Sequence, residues 1–308
     1  MGKAGFKPEM ALIKKQPRKI TRRFLPLIFI GPHLLLFIIF VLIPIVYGLV
    51  ISFMKWDFIN PPVWVGLENY KEILFHTQST YHRDFLDGLK NTVLFVVLNV
   101  PVSILVPLIF ALTLSIKPGG SKIFQSILYL PTLFSISAVG IIWMQMLNKR
   151  FGLVSWFEIK TAITATYPHV WIALIVMSVW WTMGTNMVIY QAALSGVSKD
   201  LYESARLDGA GALNRIWYIS LPSIKFQLLY TLVITVAGSF NVYGQPLMLT
   251  QQGVGGAPKI NVLIMYIKNL AFGSGQSIAG MASAMAIILG AFIVVASLIQ
   301  FKLVIKDE

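Results

Sequence analysis

Val93-Leu-Phe-Val-Val-Leu-Asn-Val-Pro-Val-Ser-Ile-Leu-Val-Pro-Leu-Ile-Phe-Ala-Leu-Thr-Leu-Ser-Ile116 runs for 24 residues without one charged side chain. As a helix rising about 1.5 Å per residue it reaches about 36 Å, enough to cross a hydrocarbon core of about 30 Å. The run extends back to about Leu89, and five others of similar character accompany it, near 24–53, 123–147, 167–194, 222–249 and 277–303. None carries Asp, Glu, Lys or Arg well away from its ends. The segment 55–88 holds Asp57, Glu68, Glu72, Asp84 and Asp87 and is too charged to span. Lys117-Pro118-Gly119-Gly120-Ser121-Lys122 turns the chain between the second and third runs, and Gln251–Pro258 reads as a Gly-rich external loop.

Composition agrees. The chain is 56% hydrophobic and only 12% charged, with a mean hydropathy of +0.75. A soluble domain of 308 residues needs far more charge to cover its surface. The expectation is therefore an all-α polytopic membrane helix bundle of about six transmembrane helices. A basic tail, 1–23, precedes a transmembrane domain, 24–303, and 304–308 close the chain. A cleaved signal peptide competes for residues 1–45, but the basic region is long and no clear small-residue cleavage site follows the apolar run.

Charge placement sets the orientation and argues against nucleic acid as a partner. The net charge is +13, yet eight Lys/Arg lie in the first 23 residues against one acid, Glu9. With the N-terminus inside, sixteen of the 25 Lys/Arg fall in cytoplasmic segments and nine outside, while the acids divide six and six. Six crossings then place both termini in the cytoplasm and the segment 196–221 with them.

Chemistry is mostly missing. Cysteine is absent, so thiolate metal sites and cysteine nucleophiles are excluded. No phosphate-cradling GxxxxGK[ST] segment, metal-ligand cluster or paired catalytic carboxylates appear, so no catalytic residue, metal or cofactor is expected in this chain. An ion-coupled secondary carrier of a polar solute is one alternative, and it usually places carboxylates or broken helices inside the membrane. An intramembrane transferase is another and needs a constellation that this chain does not supply. His33, at the start of the first run, reads as a helix-end residue.

The polar groups inside the runs are uncharged. Thr231, Thr235, Gly238, Ser239, Val242 and Gln245 recur at steps of three and four and lie near one helix face, flanked by Asn241 and Tyr243. The fourth run offers Trp181, Thr182, Thr185 and Asn186. Two readings stand side by side: close helix packing by small hydroxyl residues, or a pathway for a polar solute.

The segment Ser198-Lys-Asp-Leu-Tyr-Glu-Ser-Ala-Arg-Leu-Asp-Gly-Ala210 leads to Ile219-Ser220-Leu221-Pro222. Ser198 is a good N-cap, Asp200 and Glu203 suit the positive helix end, and Gly209 permits a bend. Leu201, Ala205 and Leu207 offer an apolar stripe, and Pro222 suits the first turn of the next span. A linker resting on lipid is one reading. Glu203-Ser204-Ala205, Gly209, Ile219, Leu221 and Pro222 resemble the EAA loop of binding-protein-dependent importer permeases at every spacing, with Ser204 replacing the usual alanine. Trp64–Tyr70, Asn91-Thr92, Leu130-Pro131, Asp208-Gly209-Ala210 and Gly255-Gly256-Ala257-Pro258 resemble the carbohydrate branch, maltose and glycerol-phosphate permeases included, although Ala257 interrupts that branch's Gly-Gly-Pro.

The resemblance, which runs from about residue 25 to 303, implies a non-enzymatic, multi-pass subunit of a bacterial or archaeal cell membrane. It implies a second homologous permease, an ATPase dimer that binds ATP and Mg, an extracytoplasmic solute-binding protein, and a sugar as substrate. Tyr202, Glu203, Ser204, Ala205, Arg206, Asp208 and Gly209 would form the coupling helix docked on the ATPase. Positions lining the sugar site of the maltose-type permease fall on Trp181, Thr182, Thr185, Thr235, Gly238, Ser239 and Val242, where this chain carries smaller hydroxyl groups.

Overall fold

The computed structural model describes residues 29–156, 163, 166–251, 260–273 and 278–305. The basic tail, residues 24–28 of the first run, residues 252–258 of the Gly-rich loop and residues 306–308 lie outside the described residues. Two compact units are present, Met1–Val50 and Ile51–Glu308.

Helix α1, Phe29–Ile51, makes up the described part of the first unit, and its last residue, Ile51, belongs to the second. A π turn occupies Ile38–Leu42 just before Pro44, which has no N–H to offer residue 40 and so loosens the ladder at that point. Apolar side chains such as Phe29, Leu36, Phe40 and Ile45 are exposed along its length. Such a surface suits a lipid environment.

The second unit opens with a short antiparallel hairpin, β1 (Met54–Lys55) and β2 (Val63–Trp64). Asp57 shapes its turn by accepting from the Ile59 and Asn60 amides, at 3.0 and 2.7 Å. Phe58 at the tip has φ +67°. Helix α2, Glu68–Leu74, follows. Asn69 donates to the carbonyls of Ser52 and Met54 at 2.8 and 2.9 Å, and the Tyr70 hydroxyl meets Ser52 Oγ at 2.7 Å. The Trp64–Tyr70 signature is thus a clasp that fixes the hairpin base.

Helix α3 spans Thr80–Ser115, starting nine residues before the expected Leu89. Ser79 caps it by accepting from the Tyr81 amide, and its buried stripe begins at Phe85 and Gly88 and continues through Thr92, Asn99 and Ser103 to Leu114. Charged side chains before Leu89 do not interrupt that stripe, because they occupy the other faces. The helix is about 54 Å long, so its first turns project beyond the hydrocarbon core.

The expected third span is broken. Helix α4, Ser121–Tyr129, passes through a tight turn, Leu130–Leu133, into α5, Ile136–Met146, and the two halves are bent by 106°. Ser135 is extended and caps α5 through the Ala138 amide at 3.3 Å. A continuous apolar composition hides this interruption, which lies at Pro131 and Ser135. After the short α6, Leu153–Trp156, helix α7 spans His169–Ser195, close to the expected 167–194.

Helix α8, Lys199–Leu207, and α9, Ala212–Ser223, form the expected helix–turn–helix. The fifth run also differs from expectation. Pro222 ends α9 rather than opening the span, and α10, Lys225–Phe240, departs from α9 at 69°. A second break at Asn241 separates α10 from α11, Gly244–Gln251. A π turn at Ile216–Ser220 precedes Pro222 as another precedes Pro44. Helices α12, Leu263–Phe272, and α13, Ala279–Ile305, complete the described chain.

Three buried apolar clusters hold the second unit. Phe95 packs with Leu174 and Met177; Val100 with Val236 and Met285; Leu108 and Leu114 with Tyr190 and Ile224. These contacts make α3 and α7 parallel and α10 antiparallel to both. The chain is an all-α polytopic membrane protein; among the described residues four helices are long and apolar enough to cross a membrane, or up to six if each bent pair is one span.

Candidate functional site

Helices α3, α7 and α10 and the start of α11 line an open cavity of about 340 Å³. Its lining includes Trp181, Thr182, Thr185 and Asn186 from α7, Thr235, Gly238 and Ser239 from α10, then Val242 and Gln245. Nine of the twelve candidates named above on the fourth and fifth runs therefore converge, with Thr231 and Tyr243 outside the lining. Asn241 is also outside: it is exposed at the end of α10, with its amide on the Ala237 carbonyl at 2.9 Å. The break at that residue turns it away from the face that a continuous helix would have placed it beside.

None of the lining residues is ionisable. The polar groups are amides, hydroxyls and one indole, and most are held in place. Trp181 Nε1 donates to the Phe134 carbonyl at 3.1 Å, at the bend between α4 and α5. Ser178 and Thr182 donate to carbonyls of their own helix, Leu174 and Ser178, at 2.7 and 2.9 Å. Gly184 admits the bend, because a Cβ there would lie 2.6 Å from Thr132 Oγ1 and 2.8 Å from Tyr129 Cα. At Gly238, by contrast, an added Cβ would meet nothing within 4 Å.

The hydroxyl stripe of α10 joins both sequence readings. Thr231 meets the Tyr190 hydroxyl at 2.6 Å, Asn186 Nδ2 donates to Thr235 Oγ1 at 3.3 Å, and Asn99 Nδ2 donates to Ser239 Oγ at 3.1 Å. These are three rungs, one helical turn apart. Thr235 and Ser239 also line the cavity, whereas Thr231 only joins helices. Asn186 further donates to the Ser103 carbonyl at 3.0 Å, the acceptor left free because Pro107 has no N–H.

Sequence reasoning missed the contribution of α3, namely Phe95, Asn99 and Ser103, and also Ser178 and Ile234. A signal for the first group existed. Asn99 is the lone amide in the run Val93–Ile116, and Ser103 lies four residues on, on the same helix face.

A larger hollow, about 540 Å³, lies beside the hairpin and is lined by Lys55, Trp56, Asp57, Glu68 and Glu72 among others. Two of its carboxylates, Asp57 and Glu72, have local work. The Asn60 backbone and side-chain amides, then the Ile59 amide, hold Asp57 below the usual carboxylate range. Ser79 and then His76 do the same for Glu72. The neutral cavity is the better candidate pathway, because the polar faces of three long helices converge on it. Among the described residues no group of three His, Asp or Glu is placed to hold a metal ion.

At the other end of α7 and α10, Ser198 caps α8 through the Asp200 amide at 3.2 Å. Glu203, Ser204, Arg206, Asp208 and Gly209 are exposed, and Ala205 is half-buried. Gly209 has φ +78°, and the Ala210 amide closes the helix on the Ala205 carbonyl at 2.8 Å. Two members of the apolar stripe expected of α8 are open: Leu207 is 89% exposed and Leu201 53%. Tyr202, half-buried, places its hydroxyl on Ser220 Oγ at 3.0 Å, bracing α8 against α9.

Known proteins share this architecture and sequence. The chain is 29% identical to the probable ABC transporter permease protein YurN of Bacillus subtilis over 91% of its length and 96% of the relative's. It is 28% identical to the arabinooligosaccharides transport system permease protein AraP of Halalkalibacterium halodurans, over 98% and 97%. The probable starch degradation products transport system permease protein AmyD of Thermoanaerobacterium thermosulfurigenes is 29% identical over 91% and 94%. A crystal structure of a bacterial ABC transporter involved in import of the acidic polysaccharide alginate has the same fold, with a TM-score of 0.75 at 24% identity over 93% and 96% of the two chains. The family described as binding-protein-dependent transport system inner membrane component matches residues 73–304. This chain belongs to that family and is a multi-pass membrane permease, a transport component and not a catalytic subunit.

Proposed function

We propose that this chain is the transmembrane permease subunit of an ATP-binding-cassette importer for a neutral sugar or oligosaccharide. The observation that carries the reading is the 340 Å³ cavity, lined by amides, hydroxyls and an indole without a single ionisable group. Uncharged hydrogen-bonding groups and an aromatic face suit a polyhydroxylated solute and offer no counter-charge to an anion. The names of the relatives that carry arabinooligosaccharides and starch degradation products support the substrate class.

Force enters through α8 and α9, which lie in the cytoplasm together with both termini. Leu207, Leu213 and Tyr218 are 89%, 71% and 80% exposed there, a surface suited to the groove of an ATPase. ATP and Mg bind to that ATPase dimer, and a second, homologous permease completes the pathway. An extracytoplasmic solute-binding protein delivers the sugar. A solved alginate transporter of the same fold was captured with its pentasaccharide-bound periplasmic protein, which supports that partner.

The test is co-purification of the ATPase with this chain and uptake in proteoliposomes. Glu203→Lys and Gly209→Asp are expected to lose both ATPase and transport while membrane insertion persists. Transport without an ATPase, collapsing instead with a proton or sodium gradient, would make the chain an ion-coupled carrier.

A further inference from the structure

Helix α3 brings to the cavity two polar side chains whose hydrogen-bonding capacity its packing does not exhaust. Asn99 and Ser103 are only 6% and 3% exposed, and both line the cavity. Asn99 spends its Nδ2 on Ser239 Oγ, which leaves Oδ1 without a hydrogen-bond partner. Ser239 is a hydroxyl and donates as readily as it accepts. Flipping the amide therefore exchanges a free acceptor for a free donor and leaves one polar atom unused. Ser103 Oγ is likewise buried and without a partner, although a helical serine ordinarily bonds the carbonyl one turn back. Its neighbours across the cavity behave in that ordinary way: Ser178 and Thr182 are tied to their own backbone.

We propose that Asn99 and Ser103 form a hydroxyl-binding pair that positions the solute, a specificity determinant on α3 in addition to the faces of α7 and α10. The proposal rests on the permease reading above. Residues four apart on a helix face carry their Cβ atoms about 5–6 Å from each other. That separation lets Asn99 Oδ1 accept from one ring hydroxyl while Ser103 Oγ donates to the next. Phe95, one turn before Asn99, supplies an apolar face for the ring's C–H groups, and Trp181 stands on α7. The matching ligand is a neutral sugar with adjacent free hydroxyls.

The experiment uses the whole transporter in proteoliposomes, with labelled maltotriose, arabinotriose and lactose as first probes. Monodeoxy analogues of whichever probe the unmutated complex imports follow. Ser103→Ala removes one oxygen and keeps the Asn186 bond to the backbone. It is expected to lower kcat/KM for uptake about tenfold, the effect of about one hydrogen bond, mainly through KM. The thermal midpoint should not move. One monodeoxy analogue should show no difference between Ser103→Ala and the unmutated complex, because the partner hydroxyl is already gone. Asn99→Leu should pair with a neighbouring deoxy position. Unchanged uptake by Ser103→Ala, or an equal loss for every analogue, overturns the pair and assigns α3 to packing. Absence of ATP-dependent uptake of all three probes by the unmutated complex counts against the sugar-importer reading itself, and the pair falls with it.

Discussion

Gly238→Leu separates a pathway from a packing seam. A Cβ built at Gly238 meets no atom within 4 Å, since this face of α10 opens on the cavity. At about 30 Å³ per carbon, close to the share of one water in the liquid, four added carbons take about 120 Å³ of the 340 Å³ available. Roughly a third of the cavity disappears, together with approach to Thr235 and Ser239 on the same helix. Leucine is also a better helix former than glycine by nearly 1 kcal/mol, so stability should hold or rise. The assay is ATP-driven uptake of a labelled oligosaccharide by the reconstituted complex, read beside the thermal midpoint of the same preparation. Uptake should fall at least tenfold with the midpoint unchanged, and Gly238→Ala should show a small part of the loss. Gly140→Leu is the control, because a Cβ there would press on Met248 at 2.5 Å; it should lower stability first. Full transport by Gly238→Leu would show that solute does not pass this cavity.

Three further outcomes test the surrounding framework. Asn186→Leu strands the Ser103 carbonyl, which Pro107 has already freed, and removes the rung to Thr235; a loss of about 2 kcal/mol in unfolding free energy is expected, read by denaturation in detergent. Gly280→Ala places a Cβ 1.8 Å from the Met54 carbonyl oxygen, so the hairpin must leave α13, at a cost of about 1–3 kcal/mol; protease cleavage within 56–62 should accelerate. Asp57, held below its ordinary pKa by Asn60 and Ile59, steadies the hairpin turn above the normal aspartate range, and this support disappears as pH falls through the lowered value. Hydrogen exchange at the Ile59 and Asn60 amides should rise on acidification, and Asp57→Asn should abolish that acid dependence.

Composition and run length revealed the membrane class and the number of apolar segments, because those depend only on chain-averaged properties. Position along a helix face was legible too: Thr235, Gly238 and Ser239 do share a face with Thr185 and Asn186 opposite. Interruptions were not. Phe134-Ser135 and Asn241 break helices inside uniformly apolar stretches, and an apolar composition is indifferent to whether its backbone bends. Asn241 was misplaced for this reason. The role of α3 was hidden differently, since a lone Asn99 gains meaning only when Ser239, 140 residues away, comes to lie beside it.

The three-rung seam between α10 and its neighbours has a mechanical corollary. A threonine in a helix can shift its proton from a neighbour to its own backbone, and Thr231 already touches the Gln227 carbonyl at 2.9 Å while it meets Tyr190. Opening such a joint leaves Thr231 bonded to its own backbone and frees the Tyr190 hydroxyl, a smaller loss than unpairing a buried charge.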